Sequence, residues 1–144
     1  MQAPLHTIIF YTDDDADDLG FFKEATNEMP VSVSLFEEGE KMLRSLYNSP
    51  PPPSVIFLDL NMPVKSGVEI LNEIKSEKTL NGIPVVILTT SANPEDISEC
   101  KKRGANLYIQ KPTSIDALKK AIAYVLTIDW KNNGHPGNFF YQHS

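Results

Sequence analysis

The chain has 144 residues, of which 41% are hydrophobic, and a net charge of −6 at pH 7. This length and composition predict one globular domain with a sizeable core. The negative charge argues against unaided binding of nucleic acid, because phosphate neutralisation requires clustered Lys and Arg. No apolar stretch approaches the ~18 residues of a membrane span, and the N-terminus lacks the pattern of a signal peptide. The single cysteine, Cys100, permits no internal disulfide, which favours a cytoplasmic location.

Short apolar runs alternate with helix-like segments along the chain. In chain order, the runs predict strands at His6–Tyr11, Val31–Phe36, Val55–Leu58, Pro84–Leu88 and Asn106–Ile109, and the segments between and after them predict helices at Asp17–Glu28, Glu37–Tyr47, Val68–Glu77, Glu95–Arg103 and Ile115–Leu126. This alternation predicts an α/β fold, a doubly wound, five-stranded parallel sheet with helices on both faces. Five such strands suit the flavodoxin-like order 2-1-3-4-5, although periodicity does not determine the order.

Capping residues support three of the predicted helix starts. Asp15 is the best candidate for the N-cap of the first helix, and Ser114 is suited to cap the last. Asn93-Pro94 opens the fourth helix with proline in its first turn. Asp17 and Asp18 are then expected to be solvated first-turn residues, stabilised by the helix dipole.

The periodic pattern ends after Leu126. We define the tail as residues 128–144, which mix turn residues with the aromatics Trp130, Phe139, Phe140 and Tyr141. The tail is too short for a second domain, and we expect it to pack on the surface or to be partly disordered. The alternative is a contact with a partner or a second copy, because aromatic residues are enriched in interface cores.

Polar residues follow four of the predicted strands. Asp13 and Asp14 come after the first, Asp59 after the third, Thr89 after the fourth and Lys111 after the fifth. Because the carboxyl ends of parallel strands meet at one edge of a sheet, we expect these side chains to lie close together. Crowded carboxylates repel one another, and Mg²⁺, which prefers oxygen ligands, relieves that repulsion. One carboxylate can then act as a nucleophile and form an aspartyl-phosphate.

This ordered set resembles the receiver domain of bacterial two-component response regulators, close in pattern to the single-domain chemotaxis type. The resemblance covers about residues 5–127. It depends on Asp13-Asp14, on Asp59 with Gly67 eight residues later, on Thr89, and on Lys111-Pro112.

The resemblance implies a role for each site residue. Asp59 is the expected phosphoacceptor and contributes to the metal site. Asp14 is expected to ligate Mg²⁺ directly, Asp13 largely through a water, and Asn61 through its backbone carbonyl. Lys111 is expected to pair with Asp59 or with its phosphoryl group.

Four neighbouring residues are assigned by the same resemblance. Thr89 is expected to move toward the phosphoryl group on activation, while Tyr108 turns inward; a static core aromatic is the alternative for Tyr108. Pro112 is expected to follow a cis peptide bond. Thr90 replaces the Ala or Gly that is frequent in the family, and we expect its larger side chain to slow attack by water on the phosphoryl group.

The resemblance implies a phosphorylation-dependent switch. A sensor histidine kinase donates the phosphoryl group, and the output passes to a downstream protein or a phosphotransfer protein, because no DNA-binding domain is predicted after the receiver. The chain is expected to signal rather than to act as an enzyme on other substrates, although it catalyses its own phosphorylation and dephosphorylation. A homodimer through the tail is a further expectation.

Three other functions remain open from the residues alone. An aspartyl-phosphate hydrolase needs an acid two residues after the nucleophile, where this chain has Asn61. A nucleotide or flavin module needs a Gly-rich loop after the first strand, where this chain has Thr12–Asp15. A scaffold that is never phosphorylated is the third alternative.

Overall fold

The computed structural model describes residues 7–48, 51–133 and 138–141. Strands and helices alternate through most of the chain. The elements are β1 (Thr7–Thr12), α1 (Ala16–Thr26), β2 (Val31–Phe36), α2 (Gly39–Asn48), β3 (Val55–Leu58), α3 (Gly67–Ser76), β4 (Val85–Thr89), α4 (Pro94–Lys102), β5 (Leu107–Gln110), α5 (Ile115–Thr127), α6 (Trp130–Asn133) and β6 (Phe140–Tyr141).

The strands form one parallel sheet in the order β2-β1-β3-β4-β5-β6. The predicted α/β class and the order 2-1-3-4-5 are therefore confirmed. The sixth strand was not predicted. It lies in the tail and pairs with β5, placing Tyr108 opposite Phe140 and Ile109 opposite Tyr141. Such pairing satisfies backbone groups that an open sheet edge would leave exposed.

Helices cover both faces of the sheet, as the alternation predicted. The side chain of Phe10 points into a core formed with α2, α3 and α4. Its neighbours Ile9 and Tyr11 point into a second core formed with α1 and α5. The side chains of β1 point to the two faces in turn, because a strand has a period of two residues. In the described part of the chain, no helix is long and apolar enough to cross a membrane.

The predicted element boundaries lie within two residues of the observed ones. His6, the predicted first residue of β1, lies outside the described residues. All three predicted caps are confirmed, since the side chains of Asp15, Asn93 and Ser114 accept hydrogen bonds from backbone N–H groups in the first turns of α1, α4 and α5. The fourth and fifth strands each begin and end one residue later than predicted, and Thr89 pairs with Gln110 at their ends.

Part of the tail packs along β5, with Phe139 and Phe140 on the α4 side of the sheet and Tyr141 on the α5 side. The Tyr108 ring lies 5.8 Å from the Phe140 ring and 6.4 Å from the Phe139 ring, measured between centroids. Tyr141 stacks on Tyr124 of α5 at 5.0 Å. The expectation of a tail packed on the surface is thus met for residues 138–141, and the interface alternative stays a prediction.

Candidate functional site

Three carboxylates meet at the carboxyl edge of the sheet. Asp13 follows β1 and Asp59 follows β3, and these two strands are neighbours. Asp13 is fully buried, Asp59 is 3% exposed and Asp14 is exposed. One carboxylate oxygen from each of the three lies within 4.8 Å of the other two. Hard oxygen donors at this spacing fit a divalent cation such as Mg²⁺.

Hydrogen bonds place the two buried acids. The backbone N–H of Asp59 donates to the carbonyl of Thr12 (3.1 Å), and that of Asp13 donates to the carbonyl of Phe36 (3.0 Å). The Tyr11 hydroxyl donates to one Asp13 carboxylate oxygen and the backbone N–H of Asp15 to the other. The strand ladder and the start of α1 therefore hold the acids together before any cation binds.

Gly67 lets the start of α3 approach the backbone of Asp59. A Cβ atom at this position would lie 2.2 Å from the Asp59 carbonyl oxygen and 2.6 Å from the Leu60 Cα. Both distances are far inside van der Waals contact, so any larger residue would push the helix away. The Gly67 N–H also donates to the Leu60 carbonyl at 3.0 Å. The eight-residue spacing between Asp59 and Gly67 thus has a packing reason.

Lys111 reaches this cluster from the segment after β5. Its Nζ lies 2.7 Å from Asp13 Oδ2, 2.7 Å from Asp18 Oδ2 and 3.7 Å from Asp59 Oδ1. Although burial lowers it, the pKa of Lys111 is raised to about 12 by the three carboxylates. The expected pairing with Asp59 is therefore the longest of three contacts, and the contact with Asp18 was missed in the sequence.

Asp59 is held in an environment that disfavours its charge. Burial, followed by the neighbouring Asp13 carboxylate, raises the pKa of Asp59 to about 6, against the opposing effects of Lys111 and of the Thr89 hydroxyl. One ammonium group does not neutralise this cluster of acids. A divalent cation among them would favour the ionised form of Asp59.

The Thr89 hydroxyl is the remaining polar group at this edge. Thr89 ends β4 and is fully buried. Its Oγ1 is close enough to the Asp59 carboxylate to favour the charged form of Asp59, but it makes no hydrogen bond of normal geometry among the described residues. Buried hydroxyls without partners are uncommon in folded proteins, and each calls for an explanation. An oxygen-bearing group bound on Asp59 would supply the missing partner.

A family comparison agrees with this geometry. Residues 9–123 match the model of the response regulator receiver domain. The chain belongs to this family. Receiver domains are signalling modules of two-component systems, and in general they interact with histidine kinases and downstream targets.

Individual relatives are similar over different lengths. The response regulator Rcp1 of Synechocystis sp. is 42% identical over 76 residues, which cover 53% of this chain and 52% of Rcp1. The two-component response regulator ORR11 of Oryza sativa is 30% identical over 124 residues, which cover 86% of this chain and 82% of ORR11. In these sequence matches the chain spans about half of the length of Rcp1, and it spans 25% of a probable cyclic di-GMP phosphodiesterase from Vibrio cholerae.

Two solved structures show the same fold. The phosphorylated cyanobacterial phytochrome response regulator RcpA superposes with a TM-score of 0.76 at 35% identity, covering 84% of this chain and 91% of RcpA. The Mn²⁺-bound form of Rcp1 superposes with a TM-score of 0.75 at 28% identity, covering 91% of this chain and 99% of Rcp1.

Tyr108 of this receiver domain faces inward. Its ring is fully buried, and its hydroxyl donates to the Ser91 carbonyl at 2.9 Å in the segment after β4. Phe139 and Phe140 of the tail lie against the same ring. The inward position fits both a static core aromatic and a switch residue, and a switching motion of Tyr108 stays a prediction.

The other predicted residues surround the acidic cluster. Thr90 and Asn61 are exposed and Pro112 is half-buried. The Thr90 carbonyl accepts a hydrogen bond from the Gln110 side chain at 3.3 Å. The Asn61 backbone N–H helps to stabilise the charged form of Asp59. The metal-ligand role of the Asn61 carbonyl stays a prediction, as does the cis bond before Pro112.

The backbone conformation of Val64 was not predicted from the sequence. Val64 has a φ of 67° and is fully exposed, in the loop between Asp59 and α3. A β-branched residue is a rare occupant of the left-handed region, because its Cβ crowds the backbone there. The loop after Asp59 therefore carries local strain.

Proposed function

We propose that this receiver domain is a phosphorylation-dependent switch of a two-component system, which accepts a phosphoryl group from a sensor histidine kinase on Asp59 with the help of Mg²⁺. One observation carries the proposal. The buried Asp59 carboxylate lies within reach of two further acids and of the Lys111 ammonium, beside the unpartnered hydroxyl of Thr89. The solved relatives support it, because RcpA is described as phosphorylated and Rcp1 as Mn²⁺-bound.

The transfer uses Asp59 as the nucleophile. A carboxylate oxygen attacks the phosphorus of the phosphohistidine, the P–N bond breaks, and the nitrogen keeps the electron pair. Asp14 and Asp59 would hold Mg²⁺ directly, with Asp13 through a water and Asn61 through its carbonyl. When bound, Mg²⁺ supplies positive charge that offsets the carboxylates and the incoming phosphoryl group.

Thr89 and Lys111 receive the phosphoryl oxygens. The Thr89 hydroxyl donates a hydrogen bond to one oxygen and the Lys111 ammonium to another, and both groups lie at the sheet edge beside Asp59 before transfer. The movement of Thr89 toward the phosphoryl group changes the space that is available to the Tyr108 ring. The Tyr108 ring then changes its position, and the change passes to the surface formed by α4, β5 and α5.

The acyl phosphate is a signal rather than a step in substrate turnover. Asn61 lies two residues after the nucleophile and has no carboxyl group that could activate water. Thr90 adds bulk at the exposed mouth of the site. Both residues favour a phosphorylated state that persists long enough to be recognised by another protein.

The output of the switch is protein contact or onward phosphotransfer in the cytoplasm. We assign residues 5–127 to the receiver domain and residues 128–144 to a segment that contacts a second copy or a partner protein. Phe139 and Phe140 of the tail lie against Tyr108 on the α4 side of β5, and Tyr141 lies against Tyr124 of α5. This position supports a homodimer contact or a partner contact that depends on phosphorylation.

Intact-mass measurement after incubation with acetyl phosphate and Mg²⁺ tests the proposal. We expect one added phosphoryl group, a gain of ~80 Da. The gain should disappear in Asp59→Asn and when EDTA removes the cation. A parent protein that gains no mass, or an Asp59→Asn variant that gains as much as the parent, would overturn the assignment.

A further inference from the structure

The Lys111 ammonium is shared among three carboxylates of different kinds. Among the described residues, the carboxylates within 4.0 Å of its Nζ belong to Asp13, Asp18 and Asp59. Asp13 and Asp59 also belong to the group that can hold a cation, whereas Asp18 does not. Asp18 is therefore the one ion-pair partner of Lys111, in the described part of the chain, that lies outside the group of acids that can hold a cation.

Asp18 reaches Lys111 from the first turn of α1. The side chain of Asp15 caps this helix by accepting from the N–H groups of Asp17 (2.8 Å) and Asp18 (3.4 Å). The Asp18 carboxylate is not used as a cap, and it accepts from the Lys111 ammonium at 2.7 Å across 93 residues of sequence. Its neighbour Asp17 is exposed.

Apolar walls strengthen this ion pair. Asp18 and Lys111 line a small cavity together with Phe21, Leu88 and Pro112. Side chains of Lys111 and Asp18 are 12% and 29% exposed, respectively. Removal of water lowers the local dielectric constant, so the attraction between the charges is stronger than at an open surface.

We propose that Asp18 is a positioning residue for phosphoryl transfer to Asp59, a role that rests on the function proposed above. A lysine ammonium has three N–H groups. Asp18 accepts one of them at 2.7 Å, Asp13 lies at the same distance as an ion-pair partner, and at 3.7 Å Asp59 is too far away to accept one. An N–H therefore remains for a phosphoryl oxygen on Asp59.

The benefit is a smaller loss of conformational freedom during transfer. An unrestrained lysine side chain loses rotamer entropy when it is immobilised. The contact with Asp18 fixes Lys111 beforehand, so the ammonium need not be ordered as the phosphoryl group arrives. Asp18 itself makes no bond to the phosphoryl group and accepts no proton from it.

The rate of phosphorylation in Asp18→Asn tests this role. With acetyl phosphate as donor, an Asp59 oxygen attacks phosphorus, the P–O bond to acetate breaks, and acetate leaves with the electron pair. We expect Asp18→Asn to form the acyl phosphate about tenfold more slowly than the parent. The Mg²⁺ concentration that gives half the maximal rate should stay the same, because Asp18 is outside the cation cluster.

Asp17→Asn is the matched control. It removes the same charge from the same helical turn but leaves Lys111 with all its partners, so its rate should stay within about twofold of the parent. Asp18→Glu restores the carboxylate on a longer side chain and should recover part of the lost rate. Similar thermal unfolding of the Asp18→Asn and Asp17→Asn variants would show that both are folded.

The outcomes separate this role from the proposed function. An Asp18→Asn variant that reacts as fast as Asp17→Asn, or faster than the parent, would overturn the positioning role while leaving the function intact. An equal loss in Asp18→Glu and Asp18→Asn would also overturn it. A parent protein that gains no phosphoryl group at all would reject the function itself.

Discussion

Asp59 combines a buried position with a charge that its surroundings do not fully compensate. Burial and the Asp13 carboxylate raise its pKa from 3.8 to about 6. A carboxyl group whose pKa is higher in the folded state stabilises the fold at low pH, and this contribution is lost as the pH rises through the folded-state pKa. At neutral pH without a cation, the ionised Asp59 therefore destabilises the protein.

Asp59→Asn should consequently stabilise the cation-free protein at neutral pH. We expect a gain of about 1–3 kcal/mol in the free energy of unfolding at pH 7. The gain should shrink toward zero near pH 4, where the parent carboxyl group is largely neutral. Urea unfolding in EDTA at both pH values measures this difference. A variant that is less stable than the parent at pH 7 would contradict the burial argument.

Thr90 is expected to lengthen the life of the phosphorylated state. Its exposed side chain follows Thr89 at the mouth of the site. Thr90→Ala removes the hydroxyl and a methyl group and gives water easier access to the phosphorus. We expect phosphate loss to accelerate severalfold in a single-turnover dephosphorylation assay. Equal rates of loss in the variant and the parent would show that Thr90 does not shield the phosphoryl group.

At the scale of elements, the tail strand β6 closes one edge of the sheet beside Tyr108. The Tyr108 N–H donates to the Phe139 carbonyl at 2.9 Å, and the Phe140 ring packs against the Tyr108 ring. A two-residue strand has few ladder bonds, so side-chain packing must contribute most of its stability. The tail is therefore expected to detach when that packing is removed.

Phe140→Ala tests this dependence. We expect a loss of about 1–2 kcal/mol in the free energy of unfolding, less than for a fully buried phenylalanine. Hydrogen exchange at the Tyr108 amide should also become faster. Phe21→Ala is the control, since Phe21 is 46% exposed and lies on α1. Unchanged protection of the Tyr108 amide in Phe140→Ala would mean that the tail is held by other contacts.

The sequence was most informative where a local pattern determines the structure. The apolar run Val55–Leu58 is a buried strand in the structure, and its position places Asp59 at the sheet edge. Neighbouring runs place Asp13 and Thr89 at the same edge for the same reason. The predicted acidic cluster is therefore confirmed as a geometric feature.

The features that were missed depend on tertiary contacts. The Asp18 contact with Lys111 joins residues 93 positions apart and requires α1 to pack beside the segment after β5. The tail strand has only two residues, too few to show a strand period. The left-handed backbone at Val64 contradicts the preference of a β-branched residue, so local propensity pointed away from it.

For the whole molecule, the net charge of −6 and the acidic cluster predict stabilisation by a divalent cation. A cation that binds only the folded state adds about 2.7 kcal/mol when its free concentration is a hundred times its dissociation constant. We expect the thermal unfolding midpoint of the parent to rise with Mg²⁺ concentration. EDTA should reverse the rise.

Asp14→Asn should remove most of that response, because Asp14 contributes one of the three clustered carboxylates. Glu28→Gln makes the same change in net charge at an exposed position beyond the C-terminal end of α1. It should respond to Mg²⁺ as the parent does. An equal response in all three proteins would indicate non-specific screening of the net charge instead of a site.

The central claim is that Asp59, and no other acid of the cluster, accepts the phosphoryl group. The direct measurement is to phosphorylate the protein with acetyl phosphate and Mg²⁺, reduce the acyl phosphate with borohydride, and map the resulting homoserine by tandem mass spectrometry of peptides. The account predicts homoserine at position 59 alone. Homoserine at position 13 or 14, or at no position, would contradict it.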